Sequence, residues 1–346
     1  MIAKSKMGAS LIDETVRVQY YNRRRLMNFF PRAMILAANV LAVSAAMSQP
    51  YPSAPVTMVV PFAAGSGTDA VARIVAKKLS ERLKQPVLID NRAGASAQIG
   101  AQFVAKAKPD GYTLFMTTNT SHSANPGLIL NLKYDPTKDF TPITRVGELP
   151  FALVVNKNDP AKSLKAWIDQ VKANPGKFSY ATPNSTSLVA SETIKRIAGL
   201  DIVAIPYKSS PQALTDLIGG SVQMYVVDLG SGMGMINAGG VRVLGVTTKE
   251  PLKSLPDAVP IAKEVPGFDL TSWNGIFGPA GMPKPIVDKL NLELQEVMAD
   301  KDVQKALSQL GFETWPTKTP EEFAKYVADQ LAHWSTLIKQ AGIRPE

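Results

Sequence analysis

Residues 51–73 read YPSAPVTMVVPFAAGSGTDAVAR. Residues 56–60 form an apolar strand, residues 64–67 a small Gly-rich turn, and the apolar spacing that follows predicts an amphipathic helix through Leu83, capped by Thr68 or Asp69. A strand that enters a helix through such a turn leaves backbone N–H groups without partners, and the helix dipole favours negative charge in front of them. The turn is therefore a candidate anion seat. A plain strand–turn–helix connection with nothing bound is the alternative that the pattern leaves open.

Working outward, the same alternation continues. Strands are expected at 86–89, 113–116, 151–155, 179–181, 203–205, 222–227 and 241–247, with helices at 99–107, 164–174, 188–198 and 212–218. Such alternation implies α/β layers built on mainly parallel sheets. The last part is helical instead, at 285–299, 301–310 and 320–341, with Pro at or near the starts as first-turn placement predicts. About 300 residues after the N-terminal segment exceed one comfortable core, so two domains are expected.

Upstream of the strand, Arg23, Arg24, Arg25 and Arg32 precede an uncharged apolar run over 33–47, followed by small residues. Residues 1–48 thus read as a secretory signal peptide, cleaved between Ala45 and Ser48, and no Cys follows that would mark a lipoprotein. The run is short of the roughly 20 apolar residues that a membrane span requires. The expected compartment is the periplasm, with no membrane anchor.

With no Cys in the chain, disulfides, thiolate chemistry and Cys-based metal sites are excluded, and 45% hydrophobic residues leave stability to burial. Of the formal charge of +9, residues 1–48 supply +5 from seven Lys/Arg and two acids, leaving +4 for the rest. Those basic residues are scattered, so nucleic acid is not the expected partner. A mild positive field would help to steer an anionic solute.

The segments VVPFAAGSGTDAVAR, DNRAGASAQIGAQFVAKAKPDGYTL, TNTSHSANPGL, YDPTKDFTPI, NPGKFSYATPNS, PYKSSPQALTDLIGGSV, VRVLGVTT and WNGIFGPAGMPKPIVDKLN stand in order along the chain. Together they resemble the solute receptors of tripartite tricarboxylate transporters, the Bug family, over residues 51–344. The resemblance implies a two-lobed periplasmic binding protein of the Venus-flytrap kind, type II-like, each lobe a mainly parallel sheet flanked by helices. It implies a monomer without cofactor that closes on a small organic carboxylate and delivers it to membrane permease subunits. On this reading residues 49–149 and 273–346 form lobe 1 and residues 150–272 form lobe 2. The chain would cross near 148–150 and 272–278, leaving the C-terminal helices on the first lobe. An orphan receptor that presents its liganded form to a membrane sensor would use the same fold.

In that family the first loop holds the proximal carboxylate through backbone N–H groups, small hydroxyls and water. Here Ala64, Gly65, Ser66, Gly67 and Thr68 suit this role, Phe62 either walls the ligand or packs in the core, and Asp69 reads as a helix cap. A second polar loop follows strand 113–116 and includes Thr118, Asn119, Ser121 and His122, residue types that also simply cap and turn. The facing loop, ATPNSTS over 181–187, offers Thr182, Asn184, Ser185, Thr186 and Ser187. It departs from the family's usual Gly-rich form, PYKG becomes PYKS at Ser209, and the acid often found near position 227 is Asp228, beside an unusual Met/Gly-rich run over 230–235.

Catalysis finds little support. The only histidines are His122 and His333. Ser121 and His122 are sequence neighbours whose side chains are not expected to converge as nucleophile and base, and no G-x-S-x-G elbow occurs. Neither metal-ligand spacing nor a phosphate-loop lysine pattern is present, so no catalytic or metal-binding residue is assigned.

Overall fold

The first strand, β1 (Val56–Val60), is apolar because it lies inside a covered sheet, where all of its residues but Thr57 are buried. The computed structural model describes residues 51–346, and Ala54–Glu346 form one compact unit. The export segment read over 1–48 lies outside the described residues. Beside β1 stand β2 (Val87–Asn91), β3 (Thr113–Thr118), β4 (Phe140–Leu149), β10 (Ser272–Pro279) and β11 (Glu313–Thr314), in the order β11-β4-β10-β3-β1-β2. Helix α1 (Gly67–Leu83) covers this sheet through Val71, Val75 and Leu79. A second sheet holds β5 (Phe151–Asn156), β6 (Phe178–Thr182), β7 (Ile202–Pro206), β8 (Met224–Asp228) and β9 (Val241–Val246), in the order β7-β6-β8-β5-β9.

Both sheets are mixed rather than mainly parallel. Strands β1, β2 and β3 pair in parallel, as do β6, β7 and β8, but β10 runs antiparallel to β3 and β4, and β5 antiparallel to β8 and β9. The exceptions are the strands at which the chain changes sheet. Between β4 and β5 only Pro150 intervenes, and the return from β9 to β10 is a loop, so no crossover helix dictates parallel pairing there.

Each sheet carries its own core. Val59, Phe115, Trp273, Phe277 and Phe323 pack in the first lobe, and Leu153, Trp167, Tyr180, Ile194 and Val226 in the second. Among the C-terminal helices α8 (Lys284–Ala299), α9 (Lys301–Gln309) and α10 (Pro320–Ala341), the last does not stay on the first lobe. Its first half inserts Phe323 and Val327 into the first core, so closely that a Cβ on Gly275 would lie 2.2 Å from the Phe323 ring. Its second half sends Trp334, Ile338 and Ala341 into the second core. One helix is thus anchored in both lobes.

Candidate functional site

The ends of β1, β3, β6 and β8 bring four polar segments together where the sheets face each other. At the first, the helix begins earlier than expected. Ser66 is the N-cap of α1 and its Oγ accepts from Asp69 N at 3.3 Å, while Asp69, the third helical residue, reaches back to accept from Gly65 N at 2.9 Å. A serine in extended conformation caps better than Thr68 or Asp69, whose backbones already belong to the helix. Burial pulls the Asp69 carboxyl up, but Arg73, Gly65 N–H and Asn91 outweigh it and hold it below the usual carboxylate range.

The N–H groups of this turn are largely spoken for. Ser66 N donates to Ala63 O, Gly65 N to Asp69, and Gly67 N to Ser231 Oγ from the opposite lobe at 2.9 Å. Phe62, Ser66, Gly67 and Thr68 line the two cavities of the cleft described below, whereas Ala64, Gly65 and Asp69 line neither.

The second segment is not a loop. After Thr118 and Asn119 the chain enters a π-helical turn, Thr120–Ala124, continuing into α3 (Asn125–Leu128). That wide i→i+5 turn points Ser121 and His122 away from the cleft, contrary to their reading as ligand contacts. It also brings them together against expectation, with Ser121 Oγ 2.9 Å from His122 Nδ1 and 2.6 Å from Thr117 Oγ1. His122 is fully buried, its ring stacked on Phe277 at 4.0 Å and tilted against Phe140 at 4.7 Å. Burial lowers its pKa to about 3, so the imidazole is neutral.

Asn119 and Thr120 instead face the second lobe. Asn119 Nδ2 donates to Thr186 Oγ1 at 2.9 Å, Ser272 Oγ donates to Asn119 Oδ1 at 2.5 Å, and Ser185 Oγ donates to Thr120 Oγ1 at 2.8 Å. Helix α5 (Ser185–Ala198) starts directly behind its N-cap Asn184, so Ser185 and Thr186 occupy its first turn. Ser187 turns to the sheet and donates to Val226 O, while Thr182 lies at the outer edge and donates to Ile205 O.

Asp228 closes the assembly from below. It caps α7 (Leu229–Asn237), accepting from Ser231 N at 2.8 Å and Ser231 Oγ at 3.0 Å, and it also accepts from Ser210 Oγ at 3.3 Å. Burial raises its pKa. Its Oδ1 lies so near the turn that a Cβ on Gly67 would be 2.0 Å away, and a Cβ on Gly230 would be 2.6 Å from Gly67 Cα. Gly230 of the Met/Gly-rich run and Gly67 of the turn are thus what let α7 touch α1.

Among the described residues an inner and an outer volume lie between the lobes. An inner cavity of about 20 Å³ is bounded by Ser66, Thr68, Thr120, Thr186 and Asp228. Phe62 and Asn184 line both it and an outer groove of about 770 Å³. The groove is walled by Gly94, Ala95, Ser96 and Ala97, all at positive φ, and by Thr182, Ser185, Lys208 and Arg344. Sequence reasoning missed Ser210, Ser231, Ser272 and the 94–97 loop. Only Ser231 carried a signal, three residues after Asp228 as in a capped helix start. Among the described residues no group of three or more His, Asp or Glu is placed to hold a metal, and no helix is long and apolar enough to cross a membrane.

The model of the tripartite tricarboxylate transporter family receptor matches residues 71–343. Three solved structures are similar over nearly their whole length. Rhodopseudomonas palustris Rpa4515 with adipate is 34% identical, with a TM-score of 0.83, over 86% of this chain and 100% of that one. The periplasmic binding protein BugD is 34% identical, with a TM-score of 0.82, again over 86% and 100%. MatC from Rhodopseudomonas palustris with bound malate is 31% identical, with a TM-score of 0.78, over 83% and 100%.

Proposed function

The chain belongs to the tripartite tricarboxylate transporter family receptors, the Bug family, and from that premise we propose that it captures a small organic carboxylate between its lobes in the periplasm and hands it to the membrane subunits of such a transporter. The observation that carries this reading is the outer groove. Its volume of about 770 Å³ lies within the roughly 300–1,000 Å³ range of small-molecule sites. Hydroxyls, amides and helix N-termini of both lobes converge on the cleft, and two similar receptors hold adipate and malate.

In this reading the carbon skeleton lies in the groove against Phe62, Asn184 and Ser185 supply polar contacts there, and Ser66, Thr68, Thr118 and Thr186 surround the small cavity behind it. The lobes, built on the two sheets and joined at Pro150, at the return from β9 to β10 and through α10, separate to admit the ligand and close over it. The cross-lobe bonds of Asn119 to Thr186 and Thr120 to Ser185 then re-form around the bound solute. Affinity comes from charge-assisted hydrogen bonds in a desolvated cleft.

A thermal-shift screen over mono-, di- and tricarboxylic acids, followed by calorimetry, tests the proposal. A ligand at 100 times its dissociation constant adds about 2.7 kcal/mol of stability. Absence of any shift or heat across the three classes would refute it.

A further inference from the structure

Resting on the carboxylate-receptor reading, we propose that Asp228 is a specificity-determining residue, which makes the protein prefer acids carrying an amino or hydroxyl substituent over plain acids of the same length. The substituent enters the inner cavity and donates to the Asp228 carboxylate, while the acid groups stay in the outer groove.

The charge inventory of the cleft points this way. Among the described residues Asp228 is the only charged side chain lining the inner cavity, it is 4% exposed, and none of them places a Lys, Arg or His beside it there. Its partners are one amide and two hydroxyls, which satisfy hydrogen bonds but bring no compensating charge. The two basic residues of the cleft, Lys208 and Arg344, both stand in the outer groove. The acids there are Glu192, engaged by Tyr180 and Lys195, and Glu346. A carboxylate pushed inward would meet Asp228 as a like charge in a desolvated site, and one of the two would have to take up a proton.

Size leads to the same conclusion. The inner cavity, at about 20 Å³, exceeds the roughly 10–15 Å³ that one water-sized group needs and is too small for a carboxylate. Phe62 and Asn184 line both volumes, so a substituent reaching the inner one from the groove would pass between these two side chains. A single donor atom, ammonium or hydroxyl, fits there and supplies what Asp228 lacks. The raised pKa of Asp228 reports the same uncompensated burial. A role confined to capping α7 would leave ligand preference untouched, because Asn caps a helix as well as Asp does.

The test is calorimetry on the purified protein with matched sets: succinate, malate and aspartate; glutarate, 2-hydroxyglutarate and glutamate; adipate and 2-aminoadipate. In the chain length that binds best, the substituted acid should bind at least tenfold more tightly than the plain one. Asp228→Asn should cut that ratio at least fivefold, largely by weakening the substituted acid. A plain acid that binds as tightly as its substituted partners overturns the assignment, and this comparison needs no variant. So does a variant that weakens every member of a set equally. Heat from none of the sets would overturn the carboxylate reading itself and this inference with it.

Discussion

The amide nitrogen of Gly67 donates to Ser231 Oγ across the cleft at 2.9 Å, and that hydroxyl in turn donates to Asp228 Oδ2 at 3.0 Å. The first lobe's leading helix is therefore capped in part by the second lobe. Closure and capping are the same event at this point, and the glycines that permit it become the natural places to interfere.

Gly230→Ala should separate helix stability from closure. Gly230 is the second residue of α7, where alanine is at least as good a helix former as glycine, so local stability should hold or rise. A Cβ at 230 would nevertheless lie 2.6 Å from Gly67 Cα, so the lobes cannot meet. Small-angle scattering should show a larger radius of gyration, and carboxylate affinity should fall at least tenfold. Gly234→Ala, where a Cβ meets nothing within 4 Å, is the control that should leave both unchanged.

The first turn yields a second pair of variants. Ser66→Ala removes the N-cap acceptor of α1 and should cost about 1 kcal/mol by chemical denaturation. Gly65→Ala meets only Pro211 Cγ at an ordinary 3.6 Å, so its penalty comes from φ +80 and should be about 1–2 kcal/mol. Equal stability of Gly65→Ala and the parent protein would show that the turn relaxes out of its left-handed conformation.

Acid sensitivity should trace to His122. Its folded pKa, about 3, is depressed below the ordinary 6.5, so between those values the unfolded chain binds more protons than the folded one. The stability contributed by the neutral, buried ring is present above pH 6.5 and is lost as pH falls toward 3, by at most about 1.4 kcal/mol per unit. His122→Phe keeps the aromatic stack and should flatten the pH dependence of the unfolding free energy over that window. An unchanged slope would place the acid sensitivity elsewhere.

Trp334→Ala removes a fully buried ring from the second core and should cost about 3–5 kcal/mol. Because Trp334 sits on a helix rooted in the first core, hydrogen exchange should rise at the end of α10 and in α5, against which it packs. Exchange confined to residues next to 334 would mean that the helix ends are independent.

Strands with continuous apolar runs and helices with 3.6-residue spacing were legible, because their own side chains fix both period and face. What escaped depends on distant partners. Residues 140–149, FTPITRVGEL, carry Pro, Gly and Arg and lack a strand signature, yet they form β4 because β10 pairs along their length with two register shifts. Leu229–Asn237 contains three glycines and low intrinsic helix propensity. It is helical because Asp228 caps it and because glycine alone allows the approach to Gly67 and Val227. In the site, hydroxyl-rich segments were visible as such. Which hydroxyls turn inward depends on the π-helical turn at Thr120–Ala124, and no local pattern announces that turn.

Helix α10 has 22 residues and is about 33 Å long, with Phe323 fixed near one end and Trp334 and Ile338 toward the other. A rigid rod embedded in two bodies permits them to swivel about its axis far more readily than to gape along it, since gaping would draw large rings out of packed cores. Together with the single-residue bridge at Pro150, this makes the molecule a torsion bar rather than a jaw. A pair of spin labels placed across the cleft far from the rod should report a large change in separation, and a pair placed beside it almost none.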